Sequence, residues 1–332
     1  MDLLEQRLLN DFQRNFPLAP APFERIARDL DTSGERVLAL LRALQRDGAV
    51  SRVGPVFRPN RVGASTLAAM AVPAAELEAV AAIVNRFPQV NHNYEREHRY
   101  NLWFVVTARD QAALDAALRG IETAAGYPTL VLPLVRDYHI DLGFPMGLEG
   151  VARIAAPTGA LAEAATEADA RTPVRPVAED LIEAVQDGIP LVSRPYREIG
   201  ARLGWSEQAV IDALGNMLAN GVIKRLGVVV RHHELGYRAN AMVVWNMPDA
   251  DVDRLGEQLG RQDCVTLCYR RPRRPPDWPY NLFCMVHGRD RDAVLECIDR
   301  MVEGLQLHDV AHAVLFSGRR FRQRGARYRL GT

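Results

Sequence analysis

The chain carries one plan twice, and that duplication restricts the fold more than any local pattern does. HNYEREHRYNLWFV, from His92 to Val105, returns in diverged form as CYRRPRRPPDWPYNLFCMV, from Cys268 to Val286. Followed outward, LQRDGAVSRVG at Leu44–Gly54 matches LANGVIKRLG at Leu218–Gly227. Two long copies describe a duplicated domain pair, since a solenoid would need several short ones. Any fold for this sequence must therefore satisfy each pattern twice.

Upstream of each glycine lies the same helical pattern. FERIARDLDTSGERVLALLRAL puts Phe23, Ile26, Ala27 and Leu30 on one face, breaks at Asp31-Thr32-Ser33, and resumes with Val37, Leu40, Leu41 and Leu44. YREIGARLGWSEQAVIDALGNML repeats this around Gly204-Trp205-Ser206, and Ser33 and Ser206 are the predicted N-caps. Each unit reads as a helix-turn-helix with a small β wing, VSRVGPVF or VIKRLGVVV. Beyond the wing come a strand, a helix, a hairpin, a helix and a last strand in both copies. The order βαββαβ predicts a ferredoxin-like layer of helices on an antiparallel sheet. The fold class is α+β: a tandem duplication of winged helix-turn-helix plus ferredoxin-like domain. Boundaries fall at residues 1–62, 63–146, 178–236 and 237–330, with an Ala-, Gly- and Pro-rich linker at Gly147–Val177. An open sheet face in each copy calls for a partner, so the two β domains are expected to pair face to face as an intrachain pseudo-dimer. A homodimer of whole chains stays open.

The 332 residues are 48% hydrophobic, enough for real cores. No apolar run approaches the roughly 18 residues of a membrane span, and MDLLEQRLLNDFQRN alternates charge with leucine, unlike a signal peptide. A cytoplasmic, membrane-free protein is expected. Cys264, Cys268, Cys284 and Cys297 form no CxxC pair, and a reducing compartment suits them. Nothing suggests a metal site. Basic and acidic residues both number 41, so the net charge supplies no general attraction for nucleic acid. The presumed reading helices offer Glu35 in one copy and Glu207 and Asp212 in the other, which repel phosphates, so no specific DNA binding is expected.

The repeated hairpin is the candidate site. Alternation puts His92 and Tyr94 on one strand face, and Tyr100, Leu102 and Phe104 together on the next strand, with Trp103 opposite. The segment Glu95–Arg99 reads as a loop too polar for a core. In copy two the loop lengthens and keeps Arg270, Arg271, Arg273 and Arg274 beside Trp278. His92 has no counterpart there, since Leu267 aligns with it, which suggests one working site per chain. His139 borders the hairpin region by alignment. His232, His233, His287, His308 and His312 have no feature that lifts them above structural roles. Arg319, Arg320, Arg322 and Arg324 form a basic tail that either reaches substrate or is solvated.

A winged helix-turn-helix followed by βαββαβ resembles the Lrp/AsnC regulators, whose β domains bind small molecules and pair face to face. HNYEREHRYNLWF, YRRPRRPPDWPYNLFCMVHGRD and RRFRQRGARY together resemble the sirohaem decarboxylases, in tandem order like the fused NirD-NirL form. The resemblance covers nearly the whole chain apart from the linker. It implies that two acetate side chains of sirohaem become methyl groups, giving didecarboxysirohaem for the specialised haem of denitrifier nitrite reductase. It implies no cofactor, because the iron tetrapyrrole is itself the substrate and electron sink. His92 and His98 are then the proton-transfer candidates, with axial iron ligation as the other role open to them. Tyr94, Arg96, Arg99, Tyr100, Arg270, Arg271, Arg273, Arg274 and Trp278 are the substrate-binding candidates, since guanidinium forks fit carboxylates and aromatic rings supply walls. Two rivals stand beside this reading: an Lrp-like regulator and a noncatalytic tetrapyrrole carrier.

Overall fold

In the first copy, helices α1 (Leu3–Asp11), α2 (Pro22–Asp29) and α3 (Gly34–Arg46) lead into β1 (Val50–Phe57). Then come β2 (Ala64–Met70), α4 (Leu77–Arg86), β3 (Val90–Arg96), β4 (Leu102–Ala108), α5 (Gln111–Ala125), β5 (Leu130–Pro133) and β6 (Arg136–Ile140). The second copy repeats the helical part as α6 (Val177–Val185), α7 (Pro195–Leu203) and α8 (Glu207–Ala219), with β7 (Ile223–Val230) after them. It continues with β8 (Ala239–Trp245), α9 (Val252–Gly260), β9 (Val265–Arg270), β10 (Leu282–Gly288), α10 (Arg291–Leu305) and β11 (His312–Gln323). The structure, a computed structural model, describes residues 2–58, 60–140, 177–230 and 239–328. Nearly all of the linker expected at Gly147–Val177, and the pair His232 and His233, lie outside them. No helix among the described residues is long and apolar enough to cross a membrane.

The described residues fall into two units. One holds both helix-turn-helix pairs. Ser33 accepts from the Arg36 amide at 3.2 Å and Ser206 from the Ala209 amide at 3.1 Å, so both predicted N-caps form. The wings differ from expectation. Each copy contributes one strand, and β1 and β7 pair antiparallel with each other, with Gly54 opposite Gly227. A Cβ at Gly227 would strike the Gln13 carbonyl, and one at Gly54 would meet Gly188, which explains the glycine in both VG and LG patterns.

The other unit joins both βαββαβ domains through a nine-stranded sheet ordered β5-β2-β4-β3-β11-β8-β10-β9-β6. Each copy lends its last strand to the other: β11 pairs with β3 of copy one, and β6 with β9 of copy two. On the helix side, Val84, Leu114 and Ile121 cover Val90, Leu102, Phe104 and Val106, and a matching core forms under α9 and α10. The aspartates of the repeated Arg-Asp pairs cap both long helices: Asp110 accepts from the Ala113 amide at 2.7 Å, and Asp290 from the Ala293 amide at 2.8 Å. The opposite faces pack on each other as expected: Ala69, Trp103, Leu130 and Leu132 meet Met242, Val244, Trp278, Phe283 and Leu315 in one apolar cluster, here called the inner face.

The cysteines correct the sequence reading. Cys264 and Cys297 are joined in a disulfide tying β9's approach to α10, with their Cα atoms 6.6 Å apart. Cys268 and Cys284 are buried free thiols 3.5 Å apart, and burial pushes the Cys268 thiol well up.

Candidate active site

Strand β3 presents its site residues by alternation. Asn93 turns to the helix layer, bonding the Ala81 carbonyl at 3.1 Å, so His92, Tyr94 and Arg96 turn inward. The His92 and Tyr94 rings stack with centroids 6.2 Å apart. A register shift between Val90 and His92 lets the neighbouring Asn91 reach the imidazole. There a chain of hydrogen bonds fixes the ring. The Thr107 hydroxyl donates to the Arg327 carbonyl at 2.9 Å, so its lone pair accepts from Asn91 Nδ2 at 3.3 Å. That leaves Asn91 Oδ1 facing His92 Nδ1 at 2.7 Å, where Nδ1 must be the donor. The basic nitrogen of neutral His92 is therefore Nε2. Neither Asn91 nor Thr107 stands out in the sequence; only the repeat hints at them, since Thr266 and His287 occupy the matching positions and bond each other at 3.0 Å.

Arg96 corrects the reading of Glu95–Arg99 as a loop too polar for a core. β3 continues through it, and its side chain is buried. It donates to the Leu315 carbonyl at 3.1 Å, to Ser317 Oγ at 3.0 Å and to Met285 Sδ at 3.6 Å, and no carboxylate pairs with it among the described residues. Burial pushes its pKa down to about 10, with Tyr94 acting in the opposite direction, so it is still a cation near neutrality. Copy two mirrors this. Arg271 donates to the Leu132 carbonyl at 2.6 Å, lies over the rings of Tyr269 at 5.4 Å and Phe283 at 5.8 Å, and is likewise pushed down to about 10 by burial.

The other sequence candidates separate from this group. Tyr100 precedes β4, so strand alternation does not pass through it. It packs inward with Trp103, whose indole donates to the Tyr100 carbonyl at 2.6 Å, while Leu102 and Phe104 turn to the helices. Trp278 is fully buried, 5.2 Å from the Trp103 ring and 5.0 Å from Tyr280, at the centre of the inner cluster. His98 sits at the hairpin end, away from His92 along β3. Its Nδ1 accepts from the Tyr100 amide at 3.0 Å, its ring meets Trp278 at 5.4 Å, and burial, then Arg99, holds its pKa below the usual histidine range. Arg99 is exposed and pairs with Asp277 at 3.2 Å. Arg270 pairs with Asp253 at 3.3 Å on the helix side. Arg273 bonds Asp249 at 2.6 Å, Asn246 at 2.9 Å and the Met247 carbonyl, and Arg274 bonds the Val131 carbonyl at 3.2 Å, so both bind their own loop to neighbouring backbone. His139 packs over Gly260 of α9. In the basic tail, Arg319 pairs with Glu95 at 2.8 Å, and Arg322 and Arg324 bond the Val90 carbonyl, each at 3.2 Å.

Comparison with known proteins agrees with this architecture. Residues 61–139 and 234–322 match the family described as AsnC-like ligand binding domain, and residues 5–50 and 179–224 match the siroheme decarboxylase NirDL-like HTH domain. The siroheme decarboxylase NirDL subunit of Paracoccus pantotrophus is 44% identical over 98% of this chain and 97% of its own length. The siroheme decarboxylase NirD subunit of Stutzerimonas stutzeri is 53% identical over 44% of this chain and 97% of its own. A crystal structure of the siroheme decarboxylase NirDL, 27% identical, superposes with a TM-score of 0.71 over 98% of this chain and 94% of that one. A second, in complex with an iron-uroporphyrin III analogue, gives 0.69 at 26% identity over 98% and 93%. A chain that carries both family domains twice, at this identity over nearly its full length, belongs to the sirohaem decarboxylase family in its fused NirDL form.

Proposed function

We propose that this chain decarboxylates sirohaem, turning two acetate side chains into methyl groups and releasing didecarboxysirohaem for the specialised haem of denitrifier nitrite reductase. Relatives named siroheme decarboxylase, and the related structure holding an iron-uroporphyrin III analogue, support the substrate class. The observation on this chain that carries the reading is Arg96, a guanidinium only 8% exposed and without a carboxylate partner among the described residues. Isolated buried charge is costly, and a substrate carboxylate would complete it.

Loss of carbon dioxide leaves an electron pair on the former methylene carbon, which the macrocycle delocalises, and a proton must then reach that carbon. Protonated His92 would give it from Nε2, with Asn91 and Thr107 holding the ring in place. Arg96 would clamp a nonreacting carboxylate, Tyr94 would wall the pocket, and Arg271 with Tyr269 would meet the opposite side of the macrocycle. His98, whose Nδ1 is committed to the Tyr100 amide, would donate from Nε2 at the hairpin end. No separate cofactor enters this scheme, because the substrate supplies the electron sink.

The helix-turn-helix pairs serve as scaffold in this reading. Glu207 is tied to Arg194, and the wings are occupied by each other. A salt-resistant, sequence-selective DNA complex in a gel-shift titration would reverse that assignment. Anaerobic incubation with sirohaem followed by mass spectrometry tests the main reading: successive losses of carbon dioxide are expected, whereas a carrier would bind sirohaem and leave its mass unchanged.

A further inference from the structure

The two copies face the inner side with nearly the same residues, and the strand each borrows from the other breaks the match. Beside β3, strand β11 brings Arg320 opposite Tyr94 and Gln323 opposite His92. Beside β9, strand β6 brings Asp137 opposite Tyr269. Flanking contacts show which way these side chains turn. Arg319 bonds Glu95 and Glu78, and Phe321 packs into the helix-side core, so Arg320 between them turns to the inner side. Likewise Arg136 pairs with Asp253 and Tyr138 donates to the same carboxylate, so Asp137 turns inward. Thus the Tyr94 and Arg96 pair stands beside a cation, and the equivalent Tyr269 and Arg271 pair stands beside an acid. Arg320 is exposed and donates to Gln323 Oε1 at 3.2 Å, with no carboxylate partner among the described residues.

We propose that Arg320, delivered by the C-terminal strand of copy two, is a substrate-carboxylate ligand of the site built on copy one. Directly opposed residues of an antiparallel pair lie about 5 Å apart at Cα, so Arg320 and Tyr94 share one patch of surface. The two cations, Arg96 buried and Arg320 exposed, suit a rim that carries several carboxylates, and Asp137 disfavours the same rim at copy two. The fused chain thereby orients a substrate whose carboxylates could otherwise enter against either half. This assignment rests on the sirohaem reading.

The test compares Arg320→Gln, Arg320→Lys and Asp137→Asn in the full chain, by anaerobic absorbance titration with sirohaem and by single-turnover decarboxylation at saturation. Arg320→Gln is expected to raise Kd about tenfold or more while the bound-state rate changes little, because a charge-assisted hydrogen bond is lost without touching the proton donor. Arg320→Lys should recover part of the affinity, and Asp137→Asn should leave Kd within about twofold of wild type. Thermal melts check the fold, to which the Arg320 side chain gives a hydrogen bond with Gln323. An unchanged Kd in Arg320→Gln overturns the proposal, as does an equal loss in Asp137→Asn, or a rate collapse with Kd intact. If the wild type binds sirohaem but releases no carbon dioxide, the decarboxylase reading fails separately, and the Kd comparison still decides the role of Arg320.

Discussion

Replacing Arg96 with methionine separates a residue kept for the fold from one kept for the ligand. Burial lowers the Arg96 pKa from the ordinary guanidinium range to about 10, a cost of about 3 kcal/mol for keeping the cation ionised inside the protein. Methionine of similar length removes that cost and can pack beside Met285. Against the gain stand the lost hydrogen bonds to the Leu315 carbonyl and to Ser317 Oγ, each worth about 1–1.5 kcal/mol, while the long contact to Met285 Sδ gives way to packing. Ser317 keeps its 2.6 Å bond to Asn240. The terms nearly cancel, so the ligand-free variant should lie within about 1 kcal/mol of wild type in urea denaturation. Sirohaem affinity, by contrast, should fall by about 2–5 kcal/mol, roughly thirtyfold to several thousandfold, because a substrate carboxylate would lose its buried partner. The pH dependence has a definite sign. The folded state gives up the Arg96 proton at about 10, well before the unfolded chain gives up its own, so this group adds stability as pH rises above about 10 while affinity falls there. A variant that unfolds several kcal/mol more easily yet binds sirohaem normally would show that Arg96 is structural and refute the reasoning.

His92→Gln should leave sirohaem binding nearly intact and slow single-turnover decarboxylation about a hundredfold or more, while Asn91→Leu should cost about tenfold to a hundredfold through loss of ring orientation; full activity in His92→Gln removes it from proton transfer. Burial and Arg99 hold the folded-state pKa of His98 below its unfolded value. The unfolded chain therefore takes up that proton first, and stability should decline as pH falls below about 6.5. Urea midpoints at acid and neutral pH should show a shallower decline in His98→Gln, and identical slopes would contradict the assignment. Trp278→Ala should destabilise the ligand-free protein by about 3–5 kcal/mol in thermal or urea unfolding, since it empties the centre of the inner cluster; a loss of sirohaem binding with unchanged stability would return Trp278 to the substrate wall.

Periodicity and punctuation carried most of the fold because they report local physics. Ser33, Ser206, Asp110 and Asp290 cap the helices that the alternating and 3.6-residue patterns predict. The pairing of β1 with β7 and the exchange of β6 and β11 were not legible, because each involves residues far apart in sequence whose own patterns are satisfied by any antiparallel neighbour. The candidate site was legible in residue type and less so in direction. His92, Tyr94 and Arg96 do share a face. The arginines of the copy-two loop look alike in sequence, yet Arg270 meets Asp253, Arg273 meets Asp249, Arg274 meets a backbone carbonyl, and only Arg271 lies over inner-face rings. Composition counts guanidinium groups, whereas their partners are set by the register of strands that close the sheet.

The pattern of what the copies share supports a division between scaffold and chemistry. Arg96 reaches the Leu315 carbonyl of the other copy, and Arg271 reaches Leu132 in the mirrored way. Asn101 and Asn281 also correspond, each bonding the segment just past the first strand of its own β domain, at Val72 and Met247. The arginine contacts bridge the two copies, and the asparagine contacts pin each hairpin within its own copy. The differences lie elsewhere: His92 against Leu267, Thr107 against His287, and Arg320 against Asp137, all on or beside the inner face. A duplicated chain under selection for two identical sites would keep its charges matched across the pseudo-twofold. Here one half sets a fixed imidazole among cations, and the other sets leucine in its place and an acid beside its tyrosine, which is the arrangement expected when one asymmetric, carboxylate-rimmed substrate must enter in a single orientation.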